Sequence, residues 1–79
     1  MRATVVVRPK QGILDPQGEA VNTALGHLGF SVTSARVGKV LDIEVEATSP
    51  DEARVQVEQM CEQLLANPLM ESYEVEIHG

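Results

Sequence analysis

Four prolines divide this chain, because proline has no backbone N–H and is excluded from the interior of helices and of central strands. They are Pro9, Pro16, Pro50 and Pro68. The first of them follows ATVVVR at 3–8, in which Ala3, Val5 and Val7 alternate with the side chains of the opposite face. Val6 makes that second face apolar as well, so the sequence predicts a central strand that ends near Pro9 and a loop after it.

Two of the prolines mark predicted helix starts. Asp15 stands directly before Pro16, which places an N-cap carboxylate ahead of a proline at the first helical position. The stretch SPDE at 49–52 predicts the second start, because it combines an N-cap serine, a proline and a glutamate that completes a capping box. Gly29 ends the first helix and Asn67-Pro68 ends the second. Apolar residues recur at helical spacing in both segments: Val21, Ala24, Leu25 and Leu28, and then Ala53, Val57, Met60, Cys61 and Leu64.

The remaining segments alternate with a period of two, as strands do. Between the helices two antiparallel strands are predicted, with a reversal near Gly38-Lys39. Their apolar rows are Thr33, Ala35 and Val37, and then Ile43, Val45 and Ala47. The segment YEVEIH at 73–78 is predicted as the last strand. Acidic residues form the opposite rows, as a solvated face or as a docking face for a basic partner: Asp42, Glu44, Glu46, Glu74 and Glu76.

The predicted order is therefore strand, helix, strand, strand, helix, strand. This order indicates an α+β two-layer βαββαβ fold, related to the ferredoxin-like folds, with an antiparallel sheet and helices on one face. We expect one domain over residues 1–79. A chain of this length with two aromatic residues, Phe30 and Tyr73, has a thin core. It gains from a second copy that extends the sheet or packs on it, so a dimer or tetramer is expected.

The charge balance argues against two classes of partner. Six basic and twelve acidic residues give a net charge of -6, which opposes nucleic-acid phosphates and anionic membrane surfaces. No apolar run approaches the roughly 20 residues of a membrane span, and the first residues lack a secretory cleavage site, so a cytoplasmic location is expected. The single cysteine, Cys61, permits neither an intramolecular disulfide nor a thiolate metal cluster.

No residue pattern indicates catalysis by this chain alone. Cys61 lies in the apolar stripe of the second predicted helix, so packing explains it better than a role as a nucleophile. His27 and His78 have no evident acid or metal-ligand partner and are assigned to the surface or an interface. Three cations stand near glycines: Lys10, Arg36 and Lys39. Phosphate contact and solvated or partner-facing roles both stay open for them, although no P-loop or dinucleotide fingerprint is present.

The loop PKQGILDPQG at 9–18 carries the clearest functional hypothesis. Gly12 permits a tight turn and Asp15-Pro16 begins a helix, which accounts for most of the loop. The turn and the helix start do not explain Ile13 and Leu14. A short connector needs two large apolar side chains only if they fold onto the core or enter a partner's groove. The residues alone leave both explanations open.

Three motifs, taken with their order, spacing and the total length, resemble the PurS family, the small subunit of phosphoribosylformylglycinamidine synthase. They are PKQGILDPQG, then ARVGK at 35–39, then LLANPLMESYEVEI at 64–77. The resemblance covers essentially the whole chain and implies a role in de novo purine synthesis. In that family a complex that uses ATP, Mg²⁺ and glutamine converts formylglycinamide ribonucleotide to formylglycinamidine ribonucleotide.

The resemblance also implies partners and a site. A glutaminase subunit releases ammonia and a large synthetase subunit activates the substrate with ATP. The small subunit bridges the two, assists ammonia transfer and carries no catalytic residue or cofactor of its own. Partner-binding residues are expected in the loops: Lys10, Gly12, Ile13, Leu14, Asp15, Pro16, Gly38, Lys39, Asn67 and Pro68. The alternative is a small-ligand-binding regulatory module of an oligomeric enzyme, because fold alone does not exclude it.

Overall fold

Three antiparallel strands build the sheet: β1 (Arg2–Pro9), β2 (Lys39–Glu44) and β3 (Glu71–His78). The computed structural model describes all 79 residues of the chain. Helix α1 (Pro16–His27) connects β1 to β2, and helix α2 (Pro50–Met60) connects β2 to β3. Helix α2 continues into a π-helical turn over Cys61–Leu65. The strands lie in the order β2-β1-β3, so the first strand of the chain is the central one.

The central position of β1 agrees with its sequence. Ala3, Val5 and Val7 are buried beneath α2, while Thr4 and Val6 occupy the other face and are half-buried. The strand pairs with β2 from position 2 to position 7 and with β3 from position 2 to position 9. Pro9 is the last residue of β1, where its missing N–H interrupts no central pairing. The predicted central strand is confirmed.

Helix α2 supplies the second layer. The Ser49 hydroxyl accepts a hydrogen bond from the Glu52 N–H at 3.2 Å, and the Glu52 carboxylate accepts bonds from the N–H and hydroxyl of Thr48 at 3.2 and 2.6 Å. These bonds confirm the predicted start. Ala53 and Val57 are fully buried against the sheet, which confirms the predicted apolar face at these positions.

The π-helical turn after α2 changes which residues face the core. The Ala66 N–H donates to the Cys61 carbonyl at 3.0 Å, five residues back, so the turn is wider than an α-helical turn. Leu64 is therefore rotated into solvent and is 83% exposed, whereas Leu65 is half-buried and Ala66 is buried. The prediction that Leu64 belongs to the buried stripe is wrong, because it assumed regular α-helical spacing.

One predicted strand is absent. Residues 30–38, which contain the row Thr33, Ala35 and Val37, form no strand, so there is no hairpin at Gly38-Lys39. The Val37 N–H donates to the Asp15 carboxylate at 2.8 Å and not to a neighbouring strand. The sheet thus has three strands and the order is βαβαβ. The α+β class, the antiparallel sheet and the two helices are confirmed, while the extent of the domain stays a prediction.

Helix α1 stands apart from the sheet. It makes no extensive contact with any strand or with α2, which alone covers the sheet face. Its predicted apolar face is incompletely covered: Val21 and Leu28 are exposed and Leu25 is half-buried. The radius of gyration is 15.8 Å, against about 12 Å for a compact domain of this length. The chain is therefore elongated, and its first helix lacks a partner layer.

Candidate functional site

The predicted partner-binding residues meet at one end of the sheet. Antiparallel pairing brings the end of β1 beside the beginnings of both neighbours, since Val7 pairs with Lys39 and Pro9 pairs with Glu71. The loop at 10–15 leaves the sheet at this end, and the turn at 67–70 enters it there. Sequence segments nearly sixty residues apart therefore form one surface.

Lys10 joins the loop to the turn. Its backbone N–H donates to the Met70 carbonyl at 2.9 Å, and its ammonium group donates to the Pro68 carbonyl at 2.7 Å. The turn is fixed by its own bonds, in which the Asn67 N–H donates to the Glu71 carboxylate at 2.7 Å and the Asn67 side chain accepts from the N–H at position 69. Loop and turn are thus held together by main-chain and side-chain bonds.

Asp15 anchors the other end of the loop. Its carboxylate accepts hydrogen bonds from the N–H groups of Val37 at 2.8 Å and Gly18 at 3.0 Å, the second of which caps α1. These two bonds, followed by the Arg36 guanidinium 3.7 Å away, lower the pKa of Asp15 below its ordinary value. The predicted N-cap is confirmed, and Pro16 follows as the first residue of the helix.

Arg36 binds the backbone of the loop at 10–15 through its side chain. Its Nη2 atom donates to the carbonyls of Lys10 at 3.0 Å and Ile13 at 3.1 Å, so one guanidinium group spans the turn between them. From the sequence, Arg36 was predicted either to contact phosphate or to be a solvated or partner-facing cation. Its bonds to the loop backbone were not predicted, because they join residues more than twenty positions apart.

Two glycines shape the backbone at this end. Gly12 has a φ of 81°, a conformation that residues other than glycine rarely adopt, so the predicted tight turn is present. The backbone at Gly38 approaches the Val7 carbonyl so closely that a Cβ atom at position 38 would collide with it. Gly38 thus permits the irregular segment to join β2 at Lys39.

The anchored loop presents large apolar side chains to solvent. Leu14 is 70% exposed, and on the adjacent turn Leu69 and Met70 are 83% and 52% exposed. Ile13 is half-buried beside them. We call these four residues the apolar loop patch. A shallow groove with Pro9 and Asn67 in its lining runs between Ile13 and Met70. Leu69 and Met70 were not among the predicted partner-binding residues, although they directly follow the predicted Asn67-Pro68.

The nucleophilic and titratable side chains of Cys61 and Tyr73 lie outside the apolar loop patch. Cys61 is fully buried in the core, and burial, with smaller effects of Glu62 and Glu58, raises the pKa of its thiol. The Tyr73 hydroxyl donates to the Glu62 carboxylate at 2.8 Å, which raises the pKa of Tyr73 to about 12. A protonated, buried thiol is a poor nucleophile, so its surroundings agree with a packing role for Cys61.

The two histidines and the remaining acids form no evident reactive cluster. His78 lies 3.0 Å from the Thr4 hydroxyl through Nε2, and His27 is exposed in the last turn of α1. No group of three or more histidine, cysteine, aspartate or glutamate side chains is placed to hold a metal ion. None of the helices combines the length and the apolar composition that a membrane crossing requires.

Comparison with known proteins gives consistent matches over the whole chain. Residues 2–79 match the family model PurS, described as phosphoribosylformylglycinamidine (FGAM) synthase. The PurS subunit of this synthase from Archaeoglobus fulgidus is 43% identical over 76 residues, with 95% of each chain covered. A crystal structure of B. subtilis PurS matches with a TM-score of 0.87 at 38% identity and covers 99% of this chain and 98% of that one.

A structure of PurLQS from Thermotoga maritima also contains a similar chain. The TM-score is 0.84 at 36% identity, with 95% of this chain and 93% of that chain covered. The match to the family model spans both the loop at 10–15 and the turn at 67–70.

Proposed function

Since the chain belongs to the PurS family, we propose that it is the small, non-catalytic subunit of an FGAM synthase, a glutamine-dependent ligase of purine biosynthesis. In this role it bridges a glutaminase subunit and an ATP-dependent synthetase subunit and assists ammonia transfer between them. The observation that carries the proposal is the full-length match to PurS subunits in sequence and in fold. The likeness to a chain of PurLQS supports a role within an assembly.

The apolar loop patch is the surface that we propose for docking one of the larger subunits. Leu14 is largely exposed, yet the backbone on both sides of it is fixed by Asp15 and by the bonds from Arg36. An apolar side chain on a rigid backbone loses little entropy when it binds. The patch is therefore suited to a partner groove with an apolar floor, in the way that buried anchors act in other interfaces.

Self-association is the second proposed contact. The exposed apolar residues of α1 and the elongated shape leave an apolar helix face without a layer to cover it. A second copy of the chain covers this face most simply, because every copy carries the same unpartnered helix. We propose a dimer or tetramer.

The complex as a whole uses ATP, and we propose that ATP and Mg²⁺ bind to the synthetase subunit and not to this chain. The net charge of -6 supports partners other than nucleic acid and membrane surfaces. We further propose the cytoplasm as the location, in keeping with a biosynthetic assembly.

Reconstitution with the two larger subunits tests the docking proposal. We expect Leu14→Asp to remain folded and oligomeric but to bind the partner subunits about tenfold more weakly, because a carboxylate replaces an apolar anchor. Co-purification, with and without ATP and glutamine, and glutamine-dependent synthesis are the measurements. Val55→Asp is the matched control, since Val55 is a 57% exposed apolar residue on α2, outside the patch.

Full activity of the Leu14→Asp assembly at normal stability would rule out the patch as the docking surface. Failure of the wild-type chain to co-purify with either larger subunit would contradict the bridging role itself.

A further inference from the structure

A polar pocket lies beside the loop, separate from the apolar loop patch. It has a volume of about 520 Å³ and sits between the end of β1, the loop and the irregular segment before β2. Apart from the Pro9 ring its lining is polar or glycine: Arg8, Gln11, Gly12, Ser34, Arg36 and Gly38. The pocket contains two guanidinium groups and no carboxylate in its lining.

Several hydrogen-bond donors in this pocket lack partners within the chain, although the Arg36 Nε atom lies 3.7 Å from the Asp15 carboxylate. Nη2 of Arg36 is used by the loop carbonyls, whereas Nη1 makes no hydrogen bond. The only partner of Arg8 is Glu74, 4.0 Å away, and both side chains are mainly exposed. Exposed ion pairs at this distance are weak and separate readily. The Ser34 hydroxyl and the backbone N–H of Gly12 also make no hydrogen bond within the chain.

The charge around the pocket is opposite to that of the chain. Four of the six basic residues lie at this end of the sheet: Arg8, Lys10, Arg36 and Lys39. The nearest carboxylate to Arg36, that of Asp15, is already engaged by two backbone N–H groups. An acidic protein thus places four of its cations around a pocket whose lining includes unused donors, which favours an anionic ligand.

We propose that this pocket binds the phosphate group of a free small molecule. Guanidinium groups match phosphate oxygens with paired hydrogen bonds, and a hydroxyl and a glycine N–H supply further donors. The glycine at position 12 leaves space for close approach of the oxyanion, since no atom would contact a Cβ atom there. The inference does not depend on the proposed role in the synthase, because it rests on the pocket alone.

Amide-resolved NMR titration of the full-length protein with inorganic phosphate, at ionic strength held constant with NaCl, tests the site. We expect saturable shifts at the amides of Gly12, Ser34 and Gly38. Arg8→Gln should weaken phosphate affinity at least fivefold without loss of fold, since Arg8 is an exposed residue. Arg2→Gln is the matched control, because it removes the same charge from an exposed arginine on β1, outside the pocket.

Two results would overturn the proposal: shifts that spread over the surface without saturation, or equal weakening by Arg8→Gln and Arg2→Gln. Ribose 5-phosphate, compared with inorganic phosphate and with ribose, identifies the ligand source. Equal affinity for the two phosphates supports recognition of phosphate alone, and tighter binding of the sugar phosphate supports a phosphorylated metabolite. Leu14→Ser, which removes the apolar side chain without adding a charge near the pocket, should keep phosphate binding and weaken docking, so failure of the pocket and failure of the docking surface are distinguishable.

Discussion

Asp15 accepts a hydrogen bond from the backbone N–H of Val37 at 2.8 Å, across twenty-two positions of sequence. The same carboxylate caps α1 through the Gly18 N–H. One side chain therefore begins the helix and also fixes the segment that leads into β2. This relationship makes Asp15 the residue on which the geometry of the loop depends.

Replacement of Asp15 by asparagine should lower the melting temperature by roughly 4–8 °C, because the amide nitrogen cannot accept the second backbone bond. Differential scanning calorimetry at pH 7 measures it. Asp51→Asn is the control, since Asp51 is exposed in the first turn of α2 and makes no side-chain hydrogen bond. Equal melting temperatures for wild type and Asp15→Asn would show that the Val37 bond contributes nothing.

The pH dependence of the unfolding free energy should reflect the titration of Asp15. The pKa of Asp15 is lowered in the folded chain, chiefly by the Val37 bond and then by the Gly18 bond. Its stabilising contribution is therefore present above the ordinary pKa of 3.8 and is lost as the pH falls through the lowered value. Chemical denaturation between pH 7 and pH 2 should show this loss in wild type and a smaller one in Asp15→Asn. Parallel pH profiles would contradict the assignment.

Tyr73 should ionise at a higher pH than an ordinary tyrosine. It is the only tyrosine and the chain has no tryptophan, so phenolate absorbance reports this residue alone. Its pKa is raised to about 12 by the hydrogen bond to Glu62, so the stabilisation from this pair is present below about pH 10 and is lost as the pH rises through about 12. Glu62→Gln should return the titration toward 10, whereas Glu44→Gln, on another element, should not. A wild-type midpoint near 10 would exclude the bond.

Cys61 should behave as a core residue. Truncation to alanine removes one heavy atom from a fully buried site and should cost about 1 kcal/mol of unfolding free energy. The native thiol should also resist alkylation by iodoacetamide at pH 8, because burial raises its pKa. The reconstituted complex should retain glutaminase activity with Cys61→Ala. Loss of that activity with fold and assembly intact would assign Cys61 a chemical role.

The exposed face of α1 should control self-association. Leu28 is 72% exposed, so Leu28→Asp should leave the fold intact while it weakens the oligomer. Multi-angle light scattering at micromolar concentration should show at least a dimer for wild type and a shift toward monomer for the variant. Thr23→Asp, on the opposite side of the same helix, is the control. A folded wild-type monomer would remove the proposal of self-association.

Local signals in the sequence account for the elements that were predicted correctly. The caps at Asp15 and Ser49 and the alternation in β1 depend on neighbouring residues, so they are readable without the fold. The segment at 30–38 also alternates, but alternation does not reveal that the Val37 N–H is taken by a distant carboxylate. The exposure of Leu64 depends on a π turn, for which the sequence offers no spacing signal.

The candidate site was predictable only in part for a similar reason. The turn and cap preferences of Gly12, Asp15 and Pro68 predicted that these residues lie in or next to loops. The unexplained apolar side chains in the loop at 9–18 pointed to Leu14. The contact of Lys10 with Pro68 joins residues 58 positions apart, and nothing local encodes it. Leu69 and Met70 enter the patch through that contact, so only the fold places them there.

The pairing of β1 has a consequence for how the chain is made. Arg2 is opposite His78, so β1 receives one of its two neighbours from β3, which is synthesised after both helices and β2. Helix α2 finds its complete platform only then, because it packs on both β1 and β3. The sheet thus cannot close, and its most apolar strand keeps an open edge, until β3 has been synthesised. Any chain cut short before β3 leaves that strand free to pair with another molecule.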